Sequence, residues 1–150
     1  MFQTALAQLI EQRNLIGWKL LTTVLTNTNE LETRANEQAA EIEIATKLIE
    51  QTITSNARQS QNQDDYRERF NQLETRQREA IAAYEQTTAE IERRTGIKAT
   101  LNRYRHTLTT LDKAGDFNPA TFHALCERID ITPSGQATVT FKDGTSIAVD

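Results

Sequence analysis

Residues 64–111 carry an apolar stripe that only a long helix can turn toward a single partner. Tyr66, Phe70 and Leu73 open it, Ile81, Tyr84, Thr88 and Ile91 continue it, and Ile97, Leu101, Tyr104, Leu108 and Leu111 finish it. Steps that alternate between three and four residues keep these side chains on one seam. A helix of ~48 residues, rising ~1.5 Å per residue, spans ~70 Å, more than the width of a compact domain of this size. The expected main feature is therefore a coiled-coil arm. Composition agrees: 37% of the 150 residues are hydrophobic, and 5 Gly and 2 Pro are few punctuators for a compact mixed fold.

Upstream, Phe2, Leu6, Leu9, Ile10, Ile16, Leu20, Leu21 and Val24 share one broad helical face, which Leu15, Trp18 and Leu25 widen. This predicts an N-terminal amphipathic helix over residues 1–27, buried against more than one neighbour. Gly17 falls inside it, either to admit another element beside Trp18 or as a tolerated surface glycine. Thr26-Asn27-Thr28-Asn29 interrupts the pattern, and Asn29 with Glu32 has the spacing of a capping box. A second helix follows, with a seam of Leu31, Ala35, Gln38, Ile42, Ala45, Ile49 and Thr52 supported by Leu48 and Ile53. Small and polar seam residues make for modest pairing that is sensitive to register. The apolar signal then vanishes over residues 54–63, which read as the tip of an antiparallel hairpin covering 28–112; a single straight rod is the alternative. Asp64 and Asp65 suit the positive start of the third helix. Between Ile91 and Ile97 the seam advances by six positions where a heptad needs seven, so a kink or break is expected at Thr95-Gly96.

Residues 113–150 read as a small cap. Lys113 complements the helix dipole and Gly115 suits a left-handed end. Asn118 is an N-cap ahead of Pro119, and Phe117 with Phe122 has hydrophobic-staple spacing; Phe122, Leu125, Cys126 and Ile129 form the buried face of the short helix. Ile129-Asp130-Ile131 alternates as a strand, Pro133-Ser134-Gly135 makes a turn, and Ala137, Val139 and Phe141 share one face of a second strand. Parity selects the next loop. A two-residue Asp143-Gly144 turn would split the apolar residues between faces, whereas a three-residue Lys142-Asp143-Gly144 loop pairs Val139 with Ile147 and Ala137 with Val149. The expected fold is mainly α: a long antiparallel helical hairpin, a preceding helix, and a small C-terminal helix with a three-stranded antiparallel β-meander.

The formal charge of −4 argues against wholesale wrapping of nucleic acid. One cysteine, Cys126, allows no internal disulfide and no cysteine metal cage; His123 lies three residues away, but nothing in the chain completes a ligand set. No phosphate loop, nucleophile elbow or pocketed carboxylate pair is legible, so neither catalysis nor a cofactor is expected. No basic leader or long apolar run follows Met1, which points to a cytoplasmic protein without a membrane partner. Two surfaces remain as candidates. Ile53, Asn56, Tyr66 and Phe70 flank the tip as anchors for a protein contact. Arg93, Arg94, Lys98, Arg103 and Arg105 run without an intervening acid; they are read first as a solvated face pairing with Glu residues of the first or second helix, and second as a phosphate-contacting face.

The segment Phe117-Asn118-Pro119-Ala120-Thr121-Phe122-His123-Ala124-Leu125-Cys126-Glu127-Arg128-Ile129-Asp130-Ile131, then Ser134-Gly135 and Val139-Thr140-Phe141-Lys142-Asp143-Gly144-Thr145, resembles the end of the large serine recombinases, the serine integrases and their transposon relatives. Lys47-Leu48-Ile49-Glu50, Asn56-Ala57-Arg58 and Asp65-Tyr66-Arg67-Glu68-Arg69-Phe70 look like that family's arm and turn. The resemblance implies a non-catalytic C-terminal portion of such a recombinase, a fragment or degenerate reading frame whose catalytic serine domain and zinc ribbon would lie upstream of Met1. It implies contacts with recombinase subunits, or with itself, through the coiled coil during DNA integration. DNA would be bound weakly, or only together with the upstream domains. The rival expectation is a coiled-coil scaffold or adaptor unrelated to DNA.

Overall fold

The computed structural model describes residues 1–59 and 62–150. They form two compact units, residues 28–93 and residues 1–27 with 94–150.

The 28–93 unit is an antiparallel pair made by α3 (Asn29–Arg58) and the first two thirds of α4 (Gln63–Thr110). Two preceding helices are described below. Acidic residues open both helices, Glu30 and Glu32 in α3 and Asp64 and Asp65 in α4, where the dipole favours them. Thr28, not Asn29, stands at the N-cap of α3, and its hydroxyl donates to Glu32 Oε1 at 2.7 Å. Asn62 Oδ1 accepts from the Asp64 amide at 3.0 Å and so opens α4. Because α3 runs on to Arg58, residues 54–58 of the expected tip are helical; Ser60 and Gln61, also in that tip, lie outside the described residues.

Ala35, Ala45 and Thr52 of α3 and Ala80 and Thr87 of α4 are the buried seam. The threonines are tolerated there because each satisfies its own hydroxyl on the preceding turn, Thr52 on Leu48 O at 2.7 Å and Thr87 on Ala83 O at 3.0 Å. Polar ties cross the pair: Arg76 to Glu41 at 3.0 Å, Gln77 to the Thr46 hydroxyl at 2.9 Å, and Gln63 to Asn56 Oδ1 at 3.3 Å. The arginine holds the Glu41 carboxyl below its ordinary range. Two expected seam residues, Ile81 and Thr88, give way to their neighbours Ala80 and Thr87. Ile81 is exposed, and the seam instead follows Leu73, Gln77, Ala80, Tyr84, Thr87 and Ile91, an unbroken four-three alternation in which Ala80 allows close approach.

The break expected at Gly96 is absent: α4 is continuous from Gln63 to Thr110. The six-residue step falls where the boundary between the units crosses the helix, at Arg93 and Arg94. Beyond it Leu101, Tyr104 and Leu108 are buried, Tyr104 and Leu108 in a hydrophobic core.

That core belongs to the second unit. Residues 1–27 are not one helix, as periodicity suggested, but α1 (Phe2–Gln12), a 3₁₀ turn (Arg13–Leu15) and α2 (Trp18–Thr26), because Ile16 is extended and Gly17 takes φ −76°, ψ 69°. After α4 come α5 (Pro119–Leu125) and the strands β1 (Cys126–Ile131), β2 (Ala137–Phe141) and β3 (Ser146–Val149), ordered β1-β2-β3 and antiparallel throughout. Asn118 Oδ1 caps α5 by accepting from the amides of Ala120 at 2.8 Å and Thr121 at 3.3 Å. The register is the one parity selected: Val139 faces Ile147, Ala137 faces Val149, and Gly144 has φ +89°. Gly135 is left-handed too, in the β1-β2 turn, but Gly115 is not. Cys126 starts β1 and does not extend α5; a bulge at Glu127 re-phases the strand so that Ile129 pairs with Val139.

Phe2, Ala5, Leu6 and Leu9 of α1 close over Tyr104, Leu108, Leu125, Cys126 and the inner sheet face of Ala137, Val139, Phe141, Ile147 and Val149. Phe2 is the hub, its ring meeting Phe122 edge-on at 5.0 Å and lying 6.2 Å from Phe141. Arg13 Nη1 donates to Leu108 O at 3.2 Å and also to Leu111 O, so a guanidinium from the N-terminal segment caps the end of α4 where Lys113 was expected to complement the dipole.

Candidate functional site

Of the tip residues, Tyr66 and Phe70 stand one turn apart on α4 with ring centroids 6.1 Å apart, both half-buried. Ile53 on α3 is exposed, and Asn56 is tied to Gln63. The hairpin thus ends in an aromatic pair with apolar surface still facing solvent.

Three of the basic residues have contacts of their own. Arg93 is held by Glu90 of its own helix through two bonds of 2.7 Å, and Arg94 donates to the Asn27 carbonyl at 2.7 Å. Arg105 lies 5.8 Å over the Trp18 ring, an attraction of cation for π face. At ~100° per residue Arg94, Lys98 and Arg105 fall within ~40° of one another around α4, whereas Arg103 projects from the opposite side. The contacts of Arg93, Arg94 and Arg105 thus include a glutamate on the same helix, a backbone carbonyl and an indole.

A third surface was not legible beforehand. Trp18, Thr22 and Thr26 form the better covered side of α2, and Thr26 is buried, its hydroxyl on Thr22 O at 2.6 Å. Trp18 sits 5.7 Å from the Tyr104 ring. The leucine side is left open: Leu15 is 84%, Leu20 71% and Val24 67% exposed. Between it and α1 runs a groove of about 550 Å³ whose walls include Leu9, Ile16, Leu21 and Leu25 and whose rim carries Asp143 and Thr145. Periodicity places these residues on a face buried against more than one neighbour; Leu15, Leu20 and Val24 are instead exposed, because the side of α2 that packs inward is the one carrying Trp18, Thr22 and Thr26.

Behind that rim lies a fully buried phenol. Tyr104 is 0% exposed and its hydroxyl has no hydrogen-bond partner among the described residues. Burial first, and then the Asp143 carboxylate, push this phenol far above its ordinary range; the carboxylate faces it without reaching hydrogen-bond geometry. Asp143 instead accepts from the Thr145 amide and hydroxyl, both at 2.9 Å, which sets the β2-β3 turn.

The Cys126 thiol is buried and its pKa is raised by desolvation, the reverse of what a nucleophile requires. His123 is exposed on α5 and does not share a helix with it. Among the described residues no three His, Cys, Asp or Glu side chains gather as a metal site, and no helix is long and apolar enough to cross a membrane.

Compared with known proteins, the chain matches no family model, no curated protein and no solved structure. The resemblance to the large serine recombinases therefore rests on the residues quoted for it.

Proposed function

We propose that the chain is a non-catalytic protein-contact module, the C-terminal arm portion of a large serine site-specific recombinase, in which the α3-α4 pair makes the contacts between subunits during DNA integration. The observation that carries this reading is the Tyr66-Phe70 ring pair, half-buried at the turn end of an otherwise polar two-helix arm. Few anchors in a polar surround suit a weak, switchable contact. The partners are recombinase subunits or a second copy of the arm, in the cytoplasm, with DNA engaged weakly or only through further domains. Replacing Tyr66 and Phe70 together with Ala is expected to lower arm-to-arm association, measured by light scattering, and capture by a cognate recombinase, while circular dichroism keeps its helical amplitude. Association and capture equal to wild type would count against the reading.

A second reading, a coiled-coil scaffold unrelated to DNA, is favoured by one observation. Arg93, Arg94 and Arg105 of the basic run are already engaged by Glu90, Asn27 and Trp18. Binding that is equally strong to a cognate recombinase and to unrelated coiled coils would select this alternative.

A further inference from the structure

The open side of α2 has a shape as well as a chemistry. Leu20 and Gly17 line two separate grooves, one of about 550 Å³ shared with α1 and one of about 530 Å³ bounded by Trp18, Lys19 and Thr23. Leu20 is therefore a ridge with a trough on each flank, and Val24 continues it one turn on. A surface that carries both the projection and the recess is what an isologous interface demands, since each copy must supply both halves.

Charge adds a direction. The flanks bear opposite signs, Lys19 beside one trough and Asp143 on the rim of the other. A two-fold axis parallel to α2, placed between ridge and trough, sets the ridge of each copy into the trough of the other. The same operation carries Lys19 of one copy to the Asp143 flank of its mate. Among the described residues no other charged side chain lines either groove. If the exposed parts of Leu15, Leu20, Val24 and Leu25, with the half-buried Ile16, Trp18 and Leu21, were wholly covered, two copies would bury at most on the order of 1,000 Å², at the lower edge of specific interfaces.

We infer that the α2 face is a homodimer interface, occupied by the same face of a second copy of this chain and separate from the contact proposed for the arm. It explains an otherwise uneconomical arrangement: a helix that turns threonines inward and its leucines out gains from burial only when a second surface arrives.

The test uses the full chain carrying Tyr66→Ala and Phe70→Ala, so that self-association through the arm does not enter the reading. Sedimentation equilibrium is expected to show a concentration-dependent monomer-dimer transition in the micromolar range. Adding Leu20→Glu and Val24→Glu is expected to raise the dissociation constant on the order of 100-fold, because two apolar anchors become charges that the interface would have to bury. Both positions are exposed in one copy, so the thermal transition measured at monomeric concentration stays in place. Lys19→Glu, which confronts Asp143 with a like charge, is expected to weaken the dimer about tenfold in low salt and less in high salt. A chain that stays monomeric over the whole concentration range, or a dimer indifferent to Leu20→Glu and Val24→Glu, overturns the inference.

Discussion

Tyr104 is the residue at which the structure departs furthest from what a fully satisfied core would show. Its ring fills space between Trp18 and the sheet, while its hydroxyl is buried beside a carboxylate without a bond. Removing an unsatisfied polar atom costs no hydrogen bond, so Tyr104→Phe is expected to leave stability unchanged or raise it by about 1 kcal/mol in chemical unfolding. A pH series supplies the sign. The folded-state pKa is raised above that of the unfolded chain, so the native state keeps its proton where the unfolded state loses it. The contribution is fully present below about pH 10 and is lost as pH rises above it, and this alkaline loss should be smaller in Tyr104→Phe. Phe141 is the opposite case, an apolar side chain 1% exposed within the hydrophobic core. Phe141→Ala is expected to cost about 3–5 kcal/mol in a melting or denaturant experiment; an unmoved transition would show that the sheet is not packed in solution. Its burial could be expected from the alternation of Ala137, Val139 and Phe141. That Phe2 would cover it could not, because the pairing joins residues at opposite ends of the sequence.

At the scale of elements, legibility follows how local the cause is. The β2-β3 register was readable because one left-handed glycine and strict two-residue alternation admit a single loop, and Gly144 at φ +89° is that loop. The cap of α5 was readable for the same reason: Asn118 and Pro119 act within three residues. The split of residues 1–27 was not, since the apolar rhythm runs through Ile16 and Gly17 without a fault, and only the docking of α1 onto the sheet and of α2 beside α4 separates them. The same limit misplaced Ile81, because an apolar residue adjacent to the true seam position outweighed the smaller Ala80. Gly96 gives the sharpest element-level prediction. It lies within unbroken helix, and a Cβ added there meets nothing within 4 Å. Gly96→Ala is therefore expected to stabilise the chain by about 1 kcal/mol, seen as a higher melting temperature; a lower one would mean that the helix bends there in solution.

Over the whole molecule, the contact surfaces were less legible than the fold, because exposure depends on which elements meet and not on what each contains. The leucines of α2 and the rings of Tyr66 and Phe70 look alike as sequence, yet one set borders a groove and the other ends a hairpin. The basic residues show the converse, a run without an intervening acid from which the helix sets Arg103 on the side opposite Arg94, Lys98 and Arg105. If Lys98 and Arg105 touch phosphates in a DNA complex of a larger recombinase, reversing both charges should lower the magnitude of the slope of log affinity against log salt by about 0.9 per contact. An unchanged slope would assign them to solvent and to Trp18.

The clasp of Arg13 on the carbonyl of Leu108 joins positions 95 residues apart, and the α1 side chains around it meet partners that arrive later still. During synthesis α1 therefore emerges long before anything that can cover Phe2, Leu6 and Leu9. At about 5–20 residues per second, its apolar face waits roughly 5–20 s on the ribosome, while residues 28–93 can already pair with one another. A nascent chain halted before Leu108 would thus present a folded hairpin preceded by an uncovered hydrophobic helix. For that interval, the segment that later clasps the end of α4 offers the kind of exposed apolar surface that chaperones cover.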